Sequence, residues 1–151
     1  MALIDQAKAH LKAQGIDQWQ TGYPDLACIQ RDLQNQKGYF LADGGKAAGY
    51  LCIDFDGEPA YLDLKRQWSS DAPYAVVHRM AISDEYRGQG IASMAFDLVR
   101  QLCLSRDVRR IRVDTDADNQ KMQHILAKNG FTYRGTIWFD NSEKIAFDLM
   151  F

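Results

Sequence analysis

The stretch Arg87-Gly88-Gln89-Gly90-Ile91-Ala92 constrains this chain more than any other. It lies between an apolar run at 74–82 and an amphipathic run that starts at Ile91. That order reads as strand, glycine-rich turn, helix. Glycines at 88 and 90 let the backbone turn tightly and leave several N–H groups without a Cβ in front of them. The helix that follows directs its positive dipole end to the same point. A turn of this kind suits phosphate oxygens. A dinucleotide fold through Gly88-x-Gly90-x-x-Ser93 is disfavoured, because too little sequence follows for the remaining parallel strands.

The rest of the chain fits one α/β domain over 1–151, long enough to bury a core. Its formal charge of −2 gives no global field for nucleic acid or an anionic membrane surface. The first ten residues, MALIDQAKAH, lack the basic and apolar regions of a signal peptide. Cys28, Cys52 and Cys103 read as reduced core thiols of a cytoplasmic protein. His10, His78 and His124 show no metal-ligand spacing, so no metal is expected.

Periodicity predicts helices over 2–13, 26–33, 91–106 and 119–129, the last with Asp118 as N-cap. Strands are predicted over 38–41, 47–55, 74–82, 109–115, 131–139 and 144–151. Asp43-Gly44-Gly45-Lys46 marks a hairpin. Residues 60–73 carry no clear period and read as a loop with a short helical or strand piece. In the last strand Ile145, Phe147, Leu149 and Phe151 share one face and read as core. Trp68 and Trp138 suit either core packing or an acceptor site.

The segment Asp84-Glu85-Tyr86-Arg87-Gly88-Gln89-Gly90-Ile91-Ala92, with the later Asn119 and Lys128-Asn129-Gly130-Phe131, resembles the GNAT superfamily of N-acetyltransferases. The resemblance covers most of the chain and is carried by 74–131. It implies a mixed, mostly antiparallel central sheet with helices on both faces and a V-shaped splay between the family's fourth and fifth strands. The family's first edge strand has no counterpart in the predicted elements of this sequence, and the exposed edge would favour pairing into a homodimer. The co-substrate implied is acetyl-CoA. Its pyrophosphate would lie on the turn formed by Arg87, Gly88, Gln89, Gly90, Ile91, Ala92 and Ser93. The pantetheine arm and thioester oxygen would meet backbone groups of Met80, Ala81 and Ile82, with Asn119 close by. The acceptor is an amine of a small molecule, peptide or protein, and the connection after the first helix would wall its pocket with Trp19 and Tyr23.

Acetyl transfer to an amine also needs a proton acceptor, since an alkylamine is mostly protonated at neutral pH. His78 is the first candidate, placed on the cofactor strand with the parity of Met80 and Ile82 and with an imidazole's favourable ordinary pKa. A strand histidine that only hydrogen-bonds is the alternative. Asp114 at the end of the next strand is the second candidate, read chiefly as a solvated carboxylate. His124, mid-helix, reads as a surface residue. The position where many family members carry a general-acid tyrosine is Leu126, which cannot donate a proton. A CoA-binding module without turnover, or a subunit of a larger assembly, therefore stands as the alternative to an enzyme.

Overall fold

A computed structural model describes residues 1–64 and 67–151. Two helices come first, α1 (Ala2–Ala13) and α2 (Leu26–Gln34). Asp25 caps α2 by accepting a hydrogen bond from the Cys28 N–H. The hairpin β1 (Gly38–Asp43) and β2 (Lys46–Asp54) follows, closed by Gly44-Gly45. A 3-10 segment, Pro59–Leu64, leads to β3 (Ala75–Ile82). After the glycine turn come α3 (Ile91–Ser105), β4 (Arg110–Thr115), α4 (Gln120–Lys128), β5 (Thr132–Phe139) and β6 (Ser142–Met150). The expectation for 60–73 includes residues 65 and 66, which lie outside the described residues. Asn119, not Asp118, caps α4, accepting from the Met122 N–H at 3.2 Å. Asp118 instead accepts a bond from the Asp17 N–H at 3.4 Å.

The six strands form one sheet in the order β1-β2-β3-β4-β6-β5, antiparallel everywhere except between β3 and β4. Among the described residues no strand precedes α1. Alternation along the strands sends side chains to two faces. On one face Leu51, Ile53, Ala75, Val77, Phe147 and Leu149 pack with Phe96, Val99 and Cys103 of α3 and Leu126 of α4. On the other, Tyr50 and Ala81 pack with Ile4 and Ala7 of α1 and Ile29 of α2. Beside that second cluster, Val76, Ile137 and Ala146 meet Tyr61, Leu64 and Trp68. Helices thus cover both faces. The last strand packs as its pattern predicts, with Ile145 and Phe151 at the margin of the α3 core. Trp68 is core, whereas Trp138 is 63% exposed. All three cysteines are free and buried.

Two irregularities open the sheet. The parallel β3–β4 ladder consists of Ala75 opposite Ile111 and Val76 opposite Arg112, and goes no further. From Val77 onward the β4-facing backbone of β3 has no strand partner. Against β2, Tyr50 pairs with Ala81 but Cys52 pairs with His78, so β3 carries one extra residue. Arg79 holds the left-handed conformation there, at φ +52°. This is a β-bulge, which bends a strand and re-aims its side chains.

Candidate active site

The two parting strands enclose a cleft of about 740 Å³. Its floor is β3 from Val77 to Ile82, facing Val113, Asp114 and Thr115 of β4. At one end lies the glycine turn. Gly88 and Gly90 both sit at φ +74°, and a Cβ on either would meet no atom within 4 Å. Glycine is needed there for backbone conformation, while the open space in front is available to a ligand. No side chain caps the first turn of α3, so its leading N–H groups point into that space unclaimed. Arg87 donates from Nε to Asp84 at 2.6 Å, and its Nη2 is shut from solvent without a hydrogen-bond partner among the described residues. Gly88, Gly90, Ile91, Ala92 and Ser93 line the cleft with Arg87. Gln89 does not line it: its side-chain amide turns back to the Glu85 carbonyl at 3.0 Å. Ser93 accepts from Asn129 at 3.0 Å, tying the start of α3 to the end of α4. His124 is exposed, as its sequence position suggests, and stands at the rim.

Met80, Ala81 and Ile82 line the middle of the cleft, but the bulge reverses the alternation at Arg79. Met80 packs toward the α3 core and Ala81 toward α1, whereas Val77, before the bulge, already faces α3. His78 therefore does not share the face of Met80 and Ile82. The parity argument for it fails because it assumed a regular strand. Asn119 lines the cleft with both ends of its amide engaged. Oδ1 caps α4, and Nδ2 donates to Gln18 Oε1 at 2.8 Å. Gln18 Oε1 also accepts from Thr115 at 3.1 Å, so the loop after α1 is stitched to the far wall.

The other end of the cleft is aromatic and acidic. Trp19, in the left-handed region at φ +64°, packs at the margin of the α1 cluster. The Tyr23 hydroxyl accepts from Arg79 Nη1 at 2.7 Å, and its ring meets Phe139 edge-on at 5.7 Å. His78 stacks on Phe139 at 6.1 Å, with Nε2 3.6 Å from a Glu58 carboxylate oxygen. Burial, with help from the Arg79 charge, lowers the imidazole to about 4, so it is neutral at pH 7. Asp114 is not the solvated strand-end carboxylate that the sequence suggests. It accepts a hydrogen bond from the buried Tyr61 hydroxyl at 2.7 Å, and burial raises it to about 6. Lys144 also lines the cleft, paired with Asp116. At the Leu126 position the side chain is fully buried in the core beneath α4.

Arg79, Gln18 and Phe139 line this cleft and Tyr61 stands behind it on Asp114, and none of the four carries a sequence signal for it. Arg79 merely interrupts an apolar run, and Tyr61 falls in the aperiodic connection.

A sheet split between two parallel strands, with a glycine turn and an uncapped helix at one end of the split, is the architecture of an acyl-transferring enzyme. The chain belongs to the acetyltransferase (GNAT) family, whose profile matches residues 3–131. A GNAT-family acetyltransferase from Streptococcus agalactiae 2603 is 32% identical, superposes with a TM-score of 0.88, and aligns over 100% of this chain and 87% of its own. The Streptothricin acetyltransferase of Escherichia coli is 28% identical over 74 residues, which is 49% of this chain and 41% of that protein, so the chain matches less than half of that curated relative. The Microcin C7 self immunity acetyltransferase MccE, solved in complex with acetyl-CoA and AMP, shares the fold at 17% identity and a TM-score of 0.62, over 99% of this chain and 84% of its own.

Proposed function

We propose that this protein transfers the acetyl group of acetyl-CoA to a primary amine, by direct attack within a ternary complex. The observation that carries the reading is the β3–β4 ladder stopping after two residue pairs beside an uncapped helix start. An extended, phosphate-bearing thioester matches both halves of that cleft. Its pyrophosphate lies on the N–H groups of Gly88, Gly90 and Ala92, where the helix dipole and Arg87 oppose its charge. Its pantetheine arm runs along the unpaired edge of β3, and a backbone N–H among Met80, Ala81 and Ile82 polarises the thioester carbonyl. The relative with acetyl-CoA bound supports the choice of donor.

The amine enters from the aromatic end, between Tyr23, Trp19 and Phe139. Asp114 takes its proton. A carboxyl near pH 6 is mostly ionised at pH 7 and still basic enough to accept a proton as the N–C bond forms. The freed nitrogen pair attacks the carbonyl carbon, the tetrahedral adduct collapses with rupture of the C–S bond, and the second ammonium proton passes to solvent. The thiolate leaves without a donor at Leu126, which its moderate pKa permits. His78, neutral and stacked on Phe139, forms part of the acceptor wall. The test is release of free thiol from acetyl-CoA across a panel of amines, with streptothricin, which the curated relative's name suggests, among the acceptors tried. No acetylated product from any amine, despite CoA binding, would replace this reading with that of a CoA-binding module.

A further inference from the structure

We propose that Tyr61 is a positioning residue for acetyl transfer: its hydroxyl fixes one oxygen of Asp114 so that the other is presented to the incoming amine. This rests on the assignment of Asp114 as the proton acceptor. The phenol donates to Oδ2 at 2.7 Å, and among the described residues that is the one hydrogen bond to the Asp114 side chain. Among the described residues Oδ1 has no hydrogen-bond partner, and Asp114 lines the cleft. Tyr61 is itself held on every side. Its residue is 1% exposed, its ring packs against Trp68 at 5.2 Å, and its carbonyl accepts the Trp68 indole N–H at 2.8 Å. A hydroxyl anchored in a packed core aims a carboxylate far better than a solvated one could.

The ionisable groups that face Asp114 come from four elements. Tyr61 and Glu58 belong to the 3-10 segment and its approach, Lys144 to β6, Asp116 to the connection after β4, and Tyr23 to the loop after α1. Burial opposes ionisation most, and Glu58 and Asp116 add to it. The Tyr61 hydrogen bond and the Lys144 charge favour the carboxylate. Tyr61 therefore does two things at once: it orients the base and keeps it ionised at neutral pH. Burial drives the phenol's own pKa far up, so the hydroxyl stays a donor throughout the working range.

The experiment is the pH dependence of kcat/KM with an amine accepted by the wild-type enzyme. Tyr61→Phe should move the acid limb up by about one pH unit, as loss of a hydrogen bond to the ionised form requires. It should lower kcat about tenfold while leaving KM for acetyl-CoA within about twofold. Site-specific 3-fluorotyrosine at position 61, a stronger donor of almost the same shape, should move the limb the other way and covers the case in which Tyr61→Phe does not fold. A limb that stays in place in either variant overturns the proposal, because a purely structural tyrosine would lower the amount of folded enzyme without moving it. Asp114→Asn separates the two layers of the argument: a limb that survives in that variant removes Asp114 as the base, whatever Tyr61 does.

Discussion

Arg79 and Asp32 form a two-pronged ion pair beneath the acceptor end of the cleft, with Nε to Oδ2 at 2.8 Å and Nη2 to Oδ1 at 2.5 Å. The pair joins the bulge of β3 to the last turn of α2. Asp32 also accepts from the Tyr50 hydroxyl at 2.7 Å, and Arg79 reaches on to Tyr23, so one guanidinium ties strand, helix and acceptor loop together. Both side chains are nearly shut from solvent, at 11% and 7% exposure.

Breaking this pair from one side should be costly, since it strands a buried charge. Arg79→Met should destabilise the protein by about 3 kcal/mol or more in denaturant titration. Removing both charges together, with Asp32→Leu added, should recover a large part of that loss. Additive losses in the double variant would mean that the two groups do not act as a unit.

Gly90→Val should lower affinity for CoA at least about tenfold, because a β-branched residue strains at φ +74° and its side chain enters the space before the helix start. Calorimetric titration of the folded variant checks it. Unchanged affinity would remove the phosphate from this turn.

The pH dependence of stability should reveal two opposed groups. His78, lowered to about 4 from 6.5, binds fewer protons folded than unfolded between those values, so its contribution to stability grows as pH rises from 4 to 6.5. Asp114, raised to about 6 from 3.8, binds more protons folded, so its contribution falls over nearly the same interval. The two largely cancel in the wild-type protein. His78→Gln should therefore show stability falling from pH 4 to 6, and Asp114→Asn should show it rising from pH 4 to 6.5. Parallel profiles for the two variants would contradict both assignments. The acid limb of kcat/KM, near 6, should survive His78→Gln.

Leu126→Ala should cost about 3 kcal/mol, as truncation of a fully buried leucine does, and leave the shape of the pH profile unchanged. A change in the alkaline limb would tie this position to proton delivery to the leaving thiol.

Most of the architecture was legible because it is periodic. The helical spacing from Ile91 to Leu102, the Gly44-Gly45 turn and the alternation of Ile145, Phe147 and Leu149 each report a local rule that tertiary packing then obeys. The glycine turn was legible for the same reason, since its backbone needs are written in the residues themselves. What escaped depends on partners distant in sequence. The bulge at Arg79 exists relative to β2, and no local pattern announces it, so simple alternation puts His78 on the wrong face. The pKa order of His78 and Asp114 is set by burial and by Tyr61, fifty-three positions away from Asp114. Tyr61 itself stands on a 3-10 segment too short to show a period. The motif points to Asn119, and the structure places it in the cleft wall with its amide serving the cap of α4 and the Gln18 bridge, which a motif alone does not reveal.

The surplus residue at position 79 makes β3 a strand with two incompatible halves. A regular strand that kept every residue would alternate straight through position 79 and turn everything beyond it inside out, sending Met80 toward α1 and Ala81 toward α3. Related chains can therefore exchange side chains along this strand with some freedom, as long as the bulge that sets their facing is kept. Insertions and deletions should be confined to the hairpin tips and to the connection before β3, where no count of residues has to be kept.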